Sequence, residues 1–321
     1  MTAPLLDVSG LRVGFPRAGG VRHVVAGIGY SLGAGRTLGV VGESGCGKSM
    51  TALALLGLVP APGRVEGAIR FAGSDIIGQS PAEWRALRGG RIAMVFQEPM
   101  TALNPVMPVG RQIAEVQVLH KGVSWKDAED NAVGMLEAVG INSPRERARA
   151  YPHQLSGGMR QRAMIAMALA CEPALLVADE PTTALDVTIQ AQIIDLMQDL
   201  QDRIGMAIQF ISHNLAVVSE VAHDIIVMYA GRIVESAPSE EIFANPLHPY
   251  TKGLIATLPD PGHRVDRLPV IAGGVPDLDD SVKGCRFADR CPRADAGCRV
   301  AEPPAEELEP GHFVACFKAR Q

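Results

Sequence analysis

Thr37 to Leu58 reads TLGVVGESGCGKSMTALALLGL, and three successive patterns within it decide the fold. Thr37–Val41 is a short apolar run of the kind that forms a fully buried strand, and Met50–Leu58 reads as a helix. Between them Gly42, Glu43, Ser44, Gly45, Cys46, Gly47, Lys48 and Ser49 fit G-x-x-x-x-G-K-[ST]. The glycines let the backbone curl so that successive N–H groups point at phosphate oxygens. The helix start adds about half a unit of positive charge. Lys48 can reach the β- and γ-phosphates of a nucleotide and Ser49 can ligate Mg²⁺, with Met50 following on the helix. Cys46 holds a variable loop position and reads as a packing residue.

Working outward, Leu5–Val8, Leu11–Phe15 and Tyr30–Leu32 are β-prone segments separated by glycine-rich turns. Arg91–Gln97 is another apolar strand, and helical periodicity then runs from Pro99 to about Ala150. A helix over Gly157–Cys171 precedes a strand at Leu175–Asp179, a helix at Thr188–Ile204 and strands at Met206–Ile211 and Ile225–Tyr229. Strands alternating with helices imply α/β with a mainly parallel sheet core, here with a β subdomain in front and an inserted helical subdomain at about 98–170. After Ser236 the periodicity fades, and 11 of the 23 prolines fall there. The expected division is 1–240 as the core and 241–321 as a cysteine-rich C-terminal extension. No internal repeat is visible.

Two further patterns bear on the loop. Leu175–Asp179 is an apolar strand ending in acid, so Asp179 can enter the Mg²⁺ shell and Glu180 can polarise an attacking water; an acidic helix cap is the plain alternative. Leu155 to Arg162 reads LSGGMRQR, so Ser156, Gly157 and Gly158 open a helix whose N-terminus can face phosphate.

With GESGCGKS, LSGG and the DE-ending strand in order, the chain resembles the ATP-binding cassette (ABC) family over roughly residues 5–260. The resemblance implies a P-loop NTPase fold of the ABC cassette type, ATP and Mg²⁺ as ligands, and half of each active site supplied by a partner subunit. It makes Glu180 the general base, His213 of FISHN the switch histidine, and Gln97 the residue that senses Mg²⁺ and the attacking water. Ser49, Gln97 and Asp179 become the Mg²⁺ set; Ser156, Gly157, Gly158 and Gln161 the signature acting in trans, completed by Arg162, with Arg160 left to surface contacts. Asp186 becomes the D-loop residue, and Phe15 stacks on adenine. TTALDVTIQAQI, SHNLAVVSEVAHDIIVMYAGRIVE and NPLHPYTKGL look like the dipeptide and oligopeptide importer ATPases, wording shared with ATPases for nickel and certain sugars. The partners so implied are a related but distinct second ABC ATPase, two integral membrane permease subunits and an extracytoplasmic peptide-binding protein. The chain would then sit peripherally on the cytoplasmic face of the cell inner membrane.

Cys285, Cys291, Cys298 and Cys316 fall within the last 37 residues, spaced unlike a zinc ribbon or a ferredoxin run. From the residues alone Zn²⁺ leads over an iron–sulfur cluster, with disulfides behind. The peptide-importer resemblance reverses that order in favour of a [4Fe–4S] cluster. His312 lies close by and reads as solvated rather than as a substitute ligand, while Arg286, Arg290, Arg293 and Arg299 would offset cluster charge.

Composition narrows the rest. With 321 residues, 47% hydrophobic, 4% aromatic and a net charge of −5, nothing points to nucleic acid. The start, MTAPLLDVSG, shows no signal peptide, and Ala163–Cys171 is too short to span a bilayer. A DNA-repair ABC ATPase would need a long coiled coil between Gln97 and Ser156. Translation ATPases are usually tandem cassettes. An iron–sulfur assembly ATPase would explain the cysteines, but the LHPYT segment and the long tail argue against it.

Overall fold

A computed structural model describes residues 3–18, 20–182, 187–258, 269–276 and 283–320. It packs as two units: residues 1–33, 37–77 and 210–321 in the first, 34–36 and 78–209 in the second.

The first unit carries a four-stranded antiparallel sheet in the order Gly20–Leu32, Leu6–Arg17, Arg64–Phe71, Ser74–Asp75. The β-prone segments expected at Leu5–Val8 and Leu11–Phe15 are one strand. Its register shifts between Val8 and Leu11, where Gly10 takes φ 58°. A bulge adds one residue and changes which parity faces inward. That is why Leu6 and Val8, then Leu11 and Val13, are all buried. The break in alternation reads as two strands when only the sequence is in view.

The same unit holds the strand that feeds the glycine-rich loop. Thr37–Val41, buried throughout, runs parallel to Asp224–Tyr229, with Leu38 opposite Asp224 and Val41 opposite Val227. Arg232–Pro238 pairs antiparallel to Asp224–Tyr229. His312–Val314 and Glu306–Glu309 extend that edge, with Glu235 opposite Val314. The proline-rich tail therefore contributes two strands to the sheet. The loop's helix spans Lys48–Leu55, shorter than expected because Gly57, at φ 60°, ends it.

In the second unit Ile92–Val95 and Leu175–Asp179 are parallel neighbours, Ile92 opposite Leu175 and Val95 opposite Ala178. Helices Val109–Lys121, Trp125–Ala138 and Gly157–Leu169 pack together through Ile113, Ala114, Ala128, Ala132, Leu136, Ala163 and Met164, all buried. Arg162 is the surprise of this bundle. Its guanidinium donates to Val139 O (3.1 Å), Gly140 O (2.8 Å) and Gln192 Oε1 (2.7 Å), satisfying carbonyls at the end of Trp125–Ala138. Among the described residues no helix is long and apolar enough to cross a membrane.

Candidate active site

The loop Gly42–Ser49 has the conformation that its glycines permit. Gly42 has φ 152° and Gly47 φ 105°. A Cβ at Gly42 would collide with the Met228 carbonyl oxygen, and one at Gly47 would lie 2.6 Å from the Val24 carbonyl oxygen. Neither position accepts a side chain. Lys48 is 5% exposed, and its ammonium donates to Gly42 O (2.7 Å) and Glu43 O (3.1 Å), so the charge is held against the loop. Ser44, Gly45 and Ser49 are exposed, Glu43, Gly47 and Met50 half-buried. Cys46 is fully buried and its thiol pKa is pushed up by that burial, which fits packing rather than redox chemistry. In the same unit Phe15 is half-buried on its strand, and the Cβ that Gly63 lacks would lie 2.8 Å from its ring. His213 is exposed, immediately after the Ala207–Ser212 strand. Two neighbours missed in the sequence shape its turn. Asn214 N donates to Ser212 Oγ (3.0 Å), and Asn214 Oδ1 accepts from Ala216 N (3.1 Å) to cap Leu215–Val221.

The second unit brings the other candidates together. Asp179 ends its strand 4% exposed. Glu180, next to it, takes φ 49°, a left-handed conformation that a non-glycine residue adopts only when its surroundings enforce it. Gln97, two residues beyond the end of Ile92–Val95 and so in the following loop, donates from Nε2 to Glu180 Oε2 at 3.0 Å. The signature helix begins at Gly157, with Ser156 as N-cap accepting from Met159 N (3.3 Å). Ser156 and Gly157 are exposed, and Gly158 is half-buried. Gln161 is buried and donates to Pro181 O, tying that helix to the turn after Glu180. Arg160 makes the expected surface contact, to His153 O (3.4 Å), and also donates to the part-buried Pro152 O (2.6 Å). Asp186 lies outside the described residues.

All four tail cysteines line one cavity, together with His248 and Arg293. Burial pushes the Cys285 thiol up to about 11, and the Cys316, Cys298 and Cys291 thiols nearby add to that rise. Crowded, desolvated thiols of this kind suit a cation, which stabilises their thiolate forms. Burial also pushes the His248 imidazole down to about 3, so it stays neutral while accepting from Tyr250 N (3.0 Å). His312 is neither solvated nor in this cavity. It is 1% exposed, with Nε2 2.8 Å from Glu235 Oε1. Of the four arginines only Arg293 lines the cavity; Arg286 pairs with Glu302, Arg299 with Asp289 and Arg290 with Glu43.

The ABC transporter family model matches residues 25–183, and that of the oligopeptide/dipeptide transporter C-terminal region matches 234–298. A probable peptide ABC transporter ATP-binding protein of Sinorhizobium fredii is 51% identical over 99% of this chain and 96% of its own. The oligopeptide transport ATP-binding protein OppD of Escherichia coli is 48% identical over 98% of this chain and 93% of its own. Among solved structures, a dimeric ATP-binding cassette in a post-hydrolysis state bound to ADP and Pi superposes with TM-score 0.67 at 22% identity, over 73% of this chain and 98% of that one. CbiO1 of Clostridium perfringens, part of an ABC transporter complex, gives 0.63 at 26%, over 75% and 91%. These fix the α/β cassette fold. Identity near one-half, carried from the first strand through loop, signature and tail, places the chain in the family of oligopeptide ABC transporter ATP-binding proteins.

Proposed function

We propose that this ABC ATPase powers the import of dipeptides or oligopeptides from the cytoplasmic face of the cell inner membrane. In this reading it works with a distinct second ATPase subunit, two integral membrane permease subunits and an extracytoplasmic peptide-binding protein. The observation that carries the reading is the match of residues 234–298 to the oligopeptide/dipeptide transporter C-terminal region, joined to near-full-length relatives named for peptide transport. Residues 1–240 are then the ATPase, with 98–170 as its helical insertion, and 241–321 the transporter-specific extension.

In the catalytic cycle the backbone N–H groups of the loop and Lys48 hold the triphosphate, and Phe15 stacks on adenine. Ser49, Gln97 and Asp179 would hold Mg²⁺, which would neutralise charge developing on the phosphates. Glu180 accepts the proton of the attacking water. The Gln97 amide on its other carboxylate oxygen keeps it aimed, and His213 contacts the γ-phosphate. Ser156, Gly157 and Gly158 of one subunit, with Asp186, close on the nucleotide of the other; Gln161, expected among them, is buried and instead holds their helix to the Pro181 turn. Reconstitution with the permease subunits and binding protein in liposomes tests the substrate class. Peptide should stimulate ATP turnover; stimulation by nickel or an oligosaccharide but not by peptide would refute the peptide assignment.

Cys285, Cys291, Cys298 and Cys316 form the donor set for a [4Fe–4S] cluster that staples the tail. All four line one cavity, a thiolate set that a cubane or a single Zn²⁺ would take. Anaerobically purified protein should contain about four irons and four acid-labile sulfides. Cys298→Ser is expected to bleach the cluster's visible absorbance and lower the thermal midpoint while nucleotide still binds. One zinc per chain and no colour would replace the cluster with the mononuclear site.

A further inference from the structure

Glu43 is the second residue of the phosphate-binding loop, a position that the G-x-x-x-x-G-K-[ST] pattern leaves open. Here it is held on three sides. Its carboxylate takes a two-pronged pair from Arg290, Nη1 to Oε2 at 2.5 Å and Nη2 to Oε1 at 2.9 Å. Its N–H donates to the Tyr250 hydroxyl at 2.8 Å. Its carbonyl accepts from Lys48 Nζ at 3.1 Å and from Cys46 N at 3.3 Å.

Arg290 belongs to the tail, next to Cys291, and its side chain is 5% exposed against 29% for Glu43. The guanidinium also donates to Ala272 O (2.8 Å) and Ile271 O (3.2 Å), and lies 5.7 Å from the Tyr229 ring and 5.9 Å from Phe287. Tyr229, Tyr250 and Phe287 pack on one another with ring centroids 4.7 to 5.4 Å apart. A rigid aromatic floor thus fixes the arginine that fixes the loop. The chemistry also asks for a counter-charge. A bare carboxylate in a loop that receives a triphosphate repels it at short range, and a bidentate guanidinium both cancels the charge and sets its direction.

We propose that Arg290 is a positioning residue for nucleotide binding: reaching from the cysteine-bearing tail, it neutralises and orients Glu43 and so sets the phosphate loop. The tail then acts on the ATP site, beyond identifying the transporter branch. The inference rests on Gly42–Ser49 being the triphosphate site, and the experiment separates the two.

Mg²⁺-dependent binding of a fluorescent ATP analogue to the full-length chain would be measured for wild type, Arg290→Gln, Glu43→Gln, their double variant and Lys48→Ala. Arg290→Gln should weaken binding at least roughly tenfold, the change that about 1.4 kcal/mol produces. Glu43→Gln reads what the loop carboxylate itself contributes, and the double variant should match Glu43→Gln rather than Arg290→Gln, because the uncompensated charge is gone. A purely structural role for Arg290 predicts no such rescue. Wild-type affinity in Arg290→Gln, or a double variant as weak as Arg290→Gln, overturns the proposal. If Arg290→Gln does not yield folded protein, Arg290→Met against Glu43→Gln/Arg290→Met makes the same comparison, since methionine keeps an unbranched chain of similar length but removes the charge. Lys48→Ala binding ATP normally would overturn the loop assignment itself. Loss in Lys48→Ala with full affinity in Arg290→Gln would overturn the role of Arg290 alone.

Discussion

Glu180→Gln is expected to lower ATP turnover by roughly 10²–10⁴ while leaving ATP affinity unchanged, so that ATP-bound dimers accumulate. The substitution is nearly isosteric, so the left-handed backbone at φ 49° is no worse for glutamine than for glutamate. The contact from Gln97 Nε2, 3.0 Å from Oε2 in the native chain, is retained when the new amide turns its oxygen toward Gln97. What disappears is the ability to take a proton from water. Asp179, buried at the strand end, is untouched, so in the proposed scheme the Mg²⁺ side of the site is intact. Phosphate release and size-exclusion chromatography in Mg·ATP check both halves of this expectation. Turnover at the wild-type rate would remove Glu180 as the base and leave its strained backbone without a catalytic reason.

Much of this site is legible in the sequence because its parts are local. The loop, the DE pair and the helix opening at Gly157 are short patterns whose chemistry depends on neighbouring residues, and the strands leading into the loop and the DE pair are runs of buried residues. The strand interrupted at Gly10 misled because a bulge resets alternation within one element. The apolar pattern carries the strand to Gln97, although the Ile92–Val95 ladder stops two residues earlier and frees its amide to turn to Glu180. What no local pattern carries is pairing across long separation. Arg290 and Glu43 are 247 positions apart, and His312 and Glu235 are 77 apart. The tail's arginines looked like counter-ions for cysteine thiolates because only their neighbours in the chain were visible. Three of the four instead serve carboxylates brought close by the fold.

Gly157→Asp separates folding from function most sharply at the other end of the reaction. Gly157 is the first residue of the signature helix, and a Cβ there meets no atom within 4 Å, so an aspartate side chain enters open space. Its charge lies at the positive end of the helix, where an acidic residue typically stabilises by about 0.3–1 kcal/mol. The thermal midpoint should therefore stay level or rise, and the chain's own ATP affinity, set by the Gly42–Ser49 loop, should not change. Turnover in the assembled transporter should nonetheless fall by roughly 10²–10³, the scale of losing a preorganised group that stabilises transition-state charge. The carboxylate would occupy the N–H groups meant for the partner subunit's γ-phosphate and repel that phosphate as well. Calorimetry, nucleotide titration and phosphate release on the same preparation read the three quantities. Undiminished turnover would mean that this helix start does not face phosphate, and the two-subunit site would have to be closed by other residues.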